Sequence, residues 1–167
     1  SNTTSTSVSP TSIQFSPQRR PPGEETLTIW KNYSSSKDIQ FLQSILSVSK
    51  RNYLNSEVDK VVAEIKGSKL TNPFLLNQAI HTCSFLLSTG IRPIEVQTLY
   101  QQAKSSIKSR GDISTWEKFV SICIKSRCMD ELHKFFADFP QFSKELSIQT
   151  SIISAFFERP SGLLPAE

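Results

Sequence analysis

Nothing in this chain of 167 residues supplies a catalytic constellation. It has no G-x-x-x-x-G-K-[ST] loop to cradle a nucleotide's phosphates, no G-x-G-x-x-G, no H-E-x-x-H and no G-x-S-x-G elbow. Acidic residues stand singly or as helix-start pairs such as Glu24-Glu25 and Asp130-Glu131, so neither an enzyme nor a bound cofactor is expected. No stretch approaches the about 18 consecutive apolar residues that a membrane span needs, and there is no secretory apolar core. Glycine is scarce at five, and the nine prolines fall mostly outside helical patterns, which fits short turns. The three cysteines, Cys83, Cys123 and Cys128, form no C-x-x-C, and the only histidines, His81 and His133, make no ligand pair at helical spacing. They read as core thiols of a reducing compartment, with metal binding as the sharper alternative.

What is present is helical periodicity. In residues 114–139 (STWEKFVSICIKSRCMDELHKFFADF), Trp116, Phe119, Val120, Cys123 and Ile124 fall at i, i+3, i+4, i+7 and i+8, one apolar stripe. Met129, Leu132, Phe135, Phe136 and Phe139 form a second stripe, and Pro140 closes it. Lys125, Ser126 and Arg127 make a polar corner between them. Ser114 and Glu117 have the S-x-x-E spacing of a capping box, which predicts that the first helix starts there.

Similar pairs flank this hairpin. Residues 147–157 carry Ile148, Ile152, Ile153, Phe156 and Phe157 on one stripe, a first helix without its partner. Upstream, Leu76, Ala79, Ile80, Cys83, Leu86 and Leu87 predict a helix capped by Asn72 with Pro73 at its first position. Pro93 then opens a second helix with Val96, Leu99, Tyr100, Ala103 and Ile107 buried. A weaker hairpin precedes them. It carries Phe41, Leu42, Ile45, Leu46 and Val48, a turn over residues 50–55 with Asn55 as cap, then Val58, Val61, Val62 and Ile65. The apolar pairs Phe41/Leu42, Ala79/Ile80, Phe119/Val120 and Ile152/Ile153 are 38, 40 and 33 residues apart. Such periods argue for stacked helical hairpins, an all-α superhelix of about three and a half hairpins.

Residues 113–137, with an aromatic near the helix start, an apolar pair, a Lys-Ser-Arg corner and Met-Asp-Glu-Leu-x-x-Phe-Phe, resemble a pentatricopeptide repeat. The tetratricopeptide signature, with its small residues at the helix contact, does not fit. The resemblance implies a solenoid that binds single-stranded RNA, in mitochondria, to act on transcript stability, processing or translation. It also implies that bases are read by the polar residue after the first-helix aromatic, here Asn77, Glu117 and Thr150. Asp112 and Glu145 would be the partners that close the preceding repeats. Asn77 and Thr150 are of the base-selecting type; Glu117 and Glu145 depart from it.

Residues 1–36 read as a disordered Ser/Thr/Pro-rich arm, 37–158 as the repeat domain and 159–167 as a tail. Residues 1–22 contain Arg19 and Arg20 and no acid, a composition shared by mitochondrial transit peptides and by plain flexible linkers. A start without Met and an interrupted last hairpin suggest a fragment or processed product.

Net charge is +4, and setting aside Arg19, Arg20, Lys31, Glu24 and Glu25 leaves 16 basic against 13 acidic residues from Lys37 onward. Local clusters therefore matter more than the total. Lys50-Arg51 is one, and Lys104, Lys108 and Arg110 another, with Lys118 and Lys125 adding charge to the best hairpin. These are candidate phosphate contacts, or cations at helix ends that favour the macrodipole. Trp30 and Phe142 lie outside any stripe and are left as candidates for stacking on bases. The rival function is a protein-binding scaffold, within a ribosome-associated assembly for example. A third is a capping or self-association segment that uses the unpaired Ile152, Ile153, Phe156 and Phe157.

Overall fold

A computed structural model of the protein describes residues 21–87, 96–107 and 112–158. Among them the chain is all-α: α1 (Pro22–Ser36), α2 (Ile39–Asn52), α3 (Asn55–Gly67), α4 (Pro73–Leu87), α5 (Val96–Ser106), α6 (Ile113–Lys125), α7 (Met129–Asp138) and α8 (Leu146–Phe157). A 3-10 segment, Pro140–Lys144, joins the last two.

Local chemistry sets the ends of these helices. The Asp38 carboxylate accepts from the Gln40 N–H at 2.9 Å to cap α2, and the Asn72 amide oxygen accepts from the Leu75 N–H at 3.0 Å to cap α4. Three connections close alike on a non-glycine residue in the left-handed region: Tyr53 (φ 56°), Lys69 (φ 52°) and Arg127 (φ 61°). In each, the next residue donates its N–H back across the turn: Leu54 to Ser49 O, Leu70 to Ile65 O and Cys128 to Cys123 O. This is the Schellman arrangement, which satisfies helix-end carbonyls and ends each helix sharply.

The reversals stack hairpins. α2 packs on α3, α4 on α5 and α6 on α7, while contacts run α2–α4–α6–α8 along one row and α3–α5–α7 along the other. One continuous apolar cluster fills the space between the rows. It is densest around α6, where Trp116 lies with ring centroids 5.1 Å from Phe135 and 5.3 Å from Phe139, and Phe135 stacks on Phe142 at 5.7 Å. α6 buries residues on three sides because it meets α4, α7 and α8. No helix among the described residues is long and apolar enough to cross a membrane.

Several expectations are corrected. Residues 22–36, read as part of a disordered arm, form α1, which packs on α2. Thr26, Ile29, Trp30 and Tyr33 sit at i, i+3, i+4 and i+7, a stripe that the polar average of the segment conceals. Tyr33 is buried and donates to Glu64 at 2.7 Å, and the Trp30 indole N–H donates to Glu57 at 2.7 Å, so α1 is tied to α3 as well. Trp30 is therefore held by packing and hydrogen bonding, and Phe142 is buried in the core; neither ring is a free stacking surface. The Ser114–Glu117 capping box is not the helix start: α6 begins at Ile113 behind Asp112, which places Ser114 inside the first turn. Asn55 is the first residue of α3, with no side-chain cap, and the turn before it is the short Tyr53–Leu54 reversal. Residues 1–20, Pro93 and the tail 159–167 lie outside the described residues.

All three cysteines are free, Cys123 buried and the others half-buried. Burial, with a smaller contribution from Asp59, pushes the Cys83 thiol up to about 12, far from a reactive thiolate at neutral pH.

Candidate nucleic-acid interface

The outward face of the even-numbered row collects cations from three successive helices. Lys50 comes from the last turn of α2, His81, Ser84 and Phe85 from α4, and Lys118 and Lys125 from α6. Together they line a shallow concavity of about 260 Å³. Helical geometry explains the grouping, since His81 and Phe85 are four apart and Lys118 and Lys125 seven apart, each pair on one face of its helix.

The geometry joins charge to an aromatic surface. Lys50 Nζ stands 5.0 Å from the centroid of the Phe85 ring, a cation–π contact. Tyr53, held outward by its left-handed backbone, stacks on the other partner of that pair: the Tyr53 and Phe85 centroids are 6.1 Å apart with the planes 19° from parallel. Both rings are substantially exposed, at 55% and 40%. Large aromatics normally leave solvent, so an exposed stacked pair beside lysines is the feature of this face that core packing does not explain.

The charges that act on His81 are cationic. Burial first, then Lys118 and Lys50, hold its imidazole below the ordinary 6.5. The uncharged ring therefore offers one N–H donor and one acceptor at neutral pH. Lys125 is only 8% exposed, and its ammonium lies 3.7 Å from the largely solvated Glu158 carboxylate at the end of α8. Lys50 and Lys125 occupy last turns, where helix-end carbonyls favour cations. Lys118, in the first half of α6, has no such explanation.

The residues named from the sequence divide between the two rows. Asn77 lies one turn before His81 on α4, half-buried, and its amide oxygen is buried without a hydrogen-bond partner among the described residues. Glu117 is half-buried beside Lys118 on α6, and Thr150 is exposed on α8. Asn77, Glu117, Lys118, Lys125 and Thr150 thus belong to the even row. Asp112 stands at the N-terminal boundary of α6, and Glu145 at that of α8. Lys104 is on α5 in the other row, where its ammonium lies 3.4 Å from Asp138 and 5.5 Å from the Tyr100 ring centroid. Tyr100 completes this clasp by donating to Asp138 and, at 3.2 Å, to the Lys134 carbonyl; its bond to Asp138, and then the Lys104 ammonium, hold the Asp138 carboxyl below its usual range. The structure does not bring Lys104 together with Asn77 or Lys118. Lys108 and Arg110 lie outside the described residues.

Sequence reasoning missed His81, Ser84, Phe85 and Tyr53 as parts of one surface, and it treated Lys50 only as half of a basic pair. The available signal was the outward face of α4, on which His81 and Phe85 lie opposite the apolar stripe.

No family model, no curated protein and no solved structure matches this chain.

Proposed function

We propose that this array of helical hairpins binds single-stranded RNA along the outward face of α2, α4, α6 and α8, and that it acts in mitochondria on transcript stability, processing or translation. It is a binding protein in this reading, not an enzyme. The observation that carries the proposal is the concavity lined by Lys50, His81, Ser84, Phe85, Lys118 and Lys125, which sets phosphate-seeking ammonium groups beside an exposed aromatic stack. Single strands are held by that combination, because phosphates supply charge and every base offers a π-face. Asn77, half-buried one turn before His81 on α4, is the base-selecting candidate nearest this surface in the chain.

The test is salt dependence. Binding of a short unstructured RNA should weaken with added salt along a logarithmic slope of about −1.4 to −2, set by two to three neutralised phosphate charges at roughly 0.7 each for a single strand. A slope near zero would remove the phosphates from the interface.

A second reading has its own observation. Leu146, Ile153, Phe156 and Phe157 of α8 are 75%, 57%, 50% and 87% exposed, an apolar face at the end of the row. A protein partner or a second copy of the chain would cover such a face. In that reading the array is a scaffold.

A further inference from the structure

The six residues of the concavity carry more positive charge than one internal link of an RNA chain can use. Lys50, Lys118 and Lys125 bring three ammonium groups, and the Glu158 carboxylate offsets one of them across 3.7 Å. The remaining excess is two. An internal phosphodiester carries a single negative charge. A terminal phosphate monoester carries about −1.5 to −2 at pH 7 and has three oxygens free to accept hydrogen bonds.

The space also favours a small group. At about 260 Å³ the concavity falls below the roughly 300–1,000 Å³ of sites for drug-sized ligands. It accepts a phosphate and part of its sugar. Its lining comes from three adjacent helices, Lys50 from α2, Lys118 with Lys125 from α6, and His81 with Ser84 from α4, which packs against both. The aromatic surface begins at the rim. Since Lys50 touches the Phe85 ring, one side chain borders both the phosphate space and the stacking surface. A phosphate and the base of the same nucleotide then fit the two halves of the site.

We propose that this concavity is an end-binding site, which seats the terminal phosphate monoester of a single-stranded RNA with the terminal base against the Phe85–Tyr53 pair. The proposal rests on the RNA-binding reading and names the part of the RNA that the site takes. A monoester at the 5′ end and one at the 3′ end share this chemistry, and the test separates them.

The experiment is an anisotropy titration of the full chain with one unstructured oligoribonucleotide in three forms: 5′-phosphorylated, 3′-phosphorylated, and with hydroxyls at both ends. The label sits internally so that both ends stay free. The expected result is that one phosphorylated form binds at least about tenfold tighter than the unphosphorylated form, and that Lys118→Gln removes most of that difference. Lys118 is exposed, so this substitution leaves the core intact, and a circular dichroism spectrum checks the fold. Equal affinity for all three forms would overturn end recognition while RNA binding stands. Absence of binding by any form would overturn both.

Discussion

Phe85 and Tyr53, from α4 and from the turn after α2, face each other as a stacked pair with centroids 6.1 Å apart on the surface of the even-numbered row. The pair exists because Tyr53 adopts a left-handed backbone (φ 56°) at the helix reversal, which turns its ring out of the core and onto α4. A structural requirement of the turn and an exposed aromatic surface thus share one residue.

Phe85→Ala should therefore weaken RNA binding by about 1–3 kcal/mol, the usual cost of losing one base-stacking ring. Its effect on folding should be small, because the ring is 40% exposed. Parallel binding and urea-denaturation curves would check both halves of this expectation.

His81 provides a titration signal at the same site. Burial, Lys118 and Lys50 depress its pKa below 6.5, so the unfolded chain binds more protons than the folded one in the window just below that value. The stability from its neutral form is fully present above pH 6.5 and is lost as pH falls through the lower folded value. A bound phosphate reverses the local sign and should raise the pKa. NMR titration of the His81 ring should place its midpoint below 6.5 in the free protein and higher with RNA. An unchanged midpoint would separate His81 from the ligand.

α1 is held to α3 by Tyr33 on Glu64 and by Trp30 on Glu57. Hydrogen bonds from Ser68 and Tyr33 lower the Glu64 carboxyl against the opposing effect of burial. Its contribution is complete above about pH 4.5 and is lost as pH falls through the lower folded value. Hydrogen exchange should show α1 amides losing protection on acidification before those of α6, and Tyr33→Phe should show the loss already at neutral pH.

Much of the fold was legible because it is written in long apolar stripes. Trp116, Phe119, Val120 and Cys123 are all buried on α6, and Asn72 caps α4 as its position before Pro73 suggests. The α6–α7 hairpin turns where Lys125, Ser126 and Arg127 place its corner. α1 was hidden because three serines and two glutamates dominate its composition, while four residues do its packing. The capping box misled because Asp112 sits two residues earlier, and sequence spacing cannot rank two adjacent helix starts. The site was harder still. Lys50, His81 and Lys118 are distant in the chain and meet only because α2, α4 and α6 lie side by side, a contact that no local pattern encodes.

The turns offer a test of stability alone. Lys69 is exposed with φ 52°, where a side chain strains the backbone and glycine does not. Lys69→Gly relieves about 1–2 kcal/mol of that strain and adds about 0.5–1 kcal/mol of unfolded-state entropy. A net gain of about 0.5 kcal/mol is expected, read as a higher urea midpoint with unchanged slope.

The central claim is that RNA lies on the even-numbered row, and one anisotropy comparison addresses it most directly. A labelled single-stranded RNA would be titrated at low salt with the native chain, with Lys50→Glu/Lys118→Glu and with Lys104→Glu. The first variant reverses two charges of the concavity and should lower affinity by at least about tenfold, as expected when phosphate contacts become repulsions. Lys104→Glu breaks only the clasp to Asp138 in the other row and should leave RNA affinity near the native value. Native affinity in the double variant, or a larger loss in Lys104→Glu, would contradict the account.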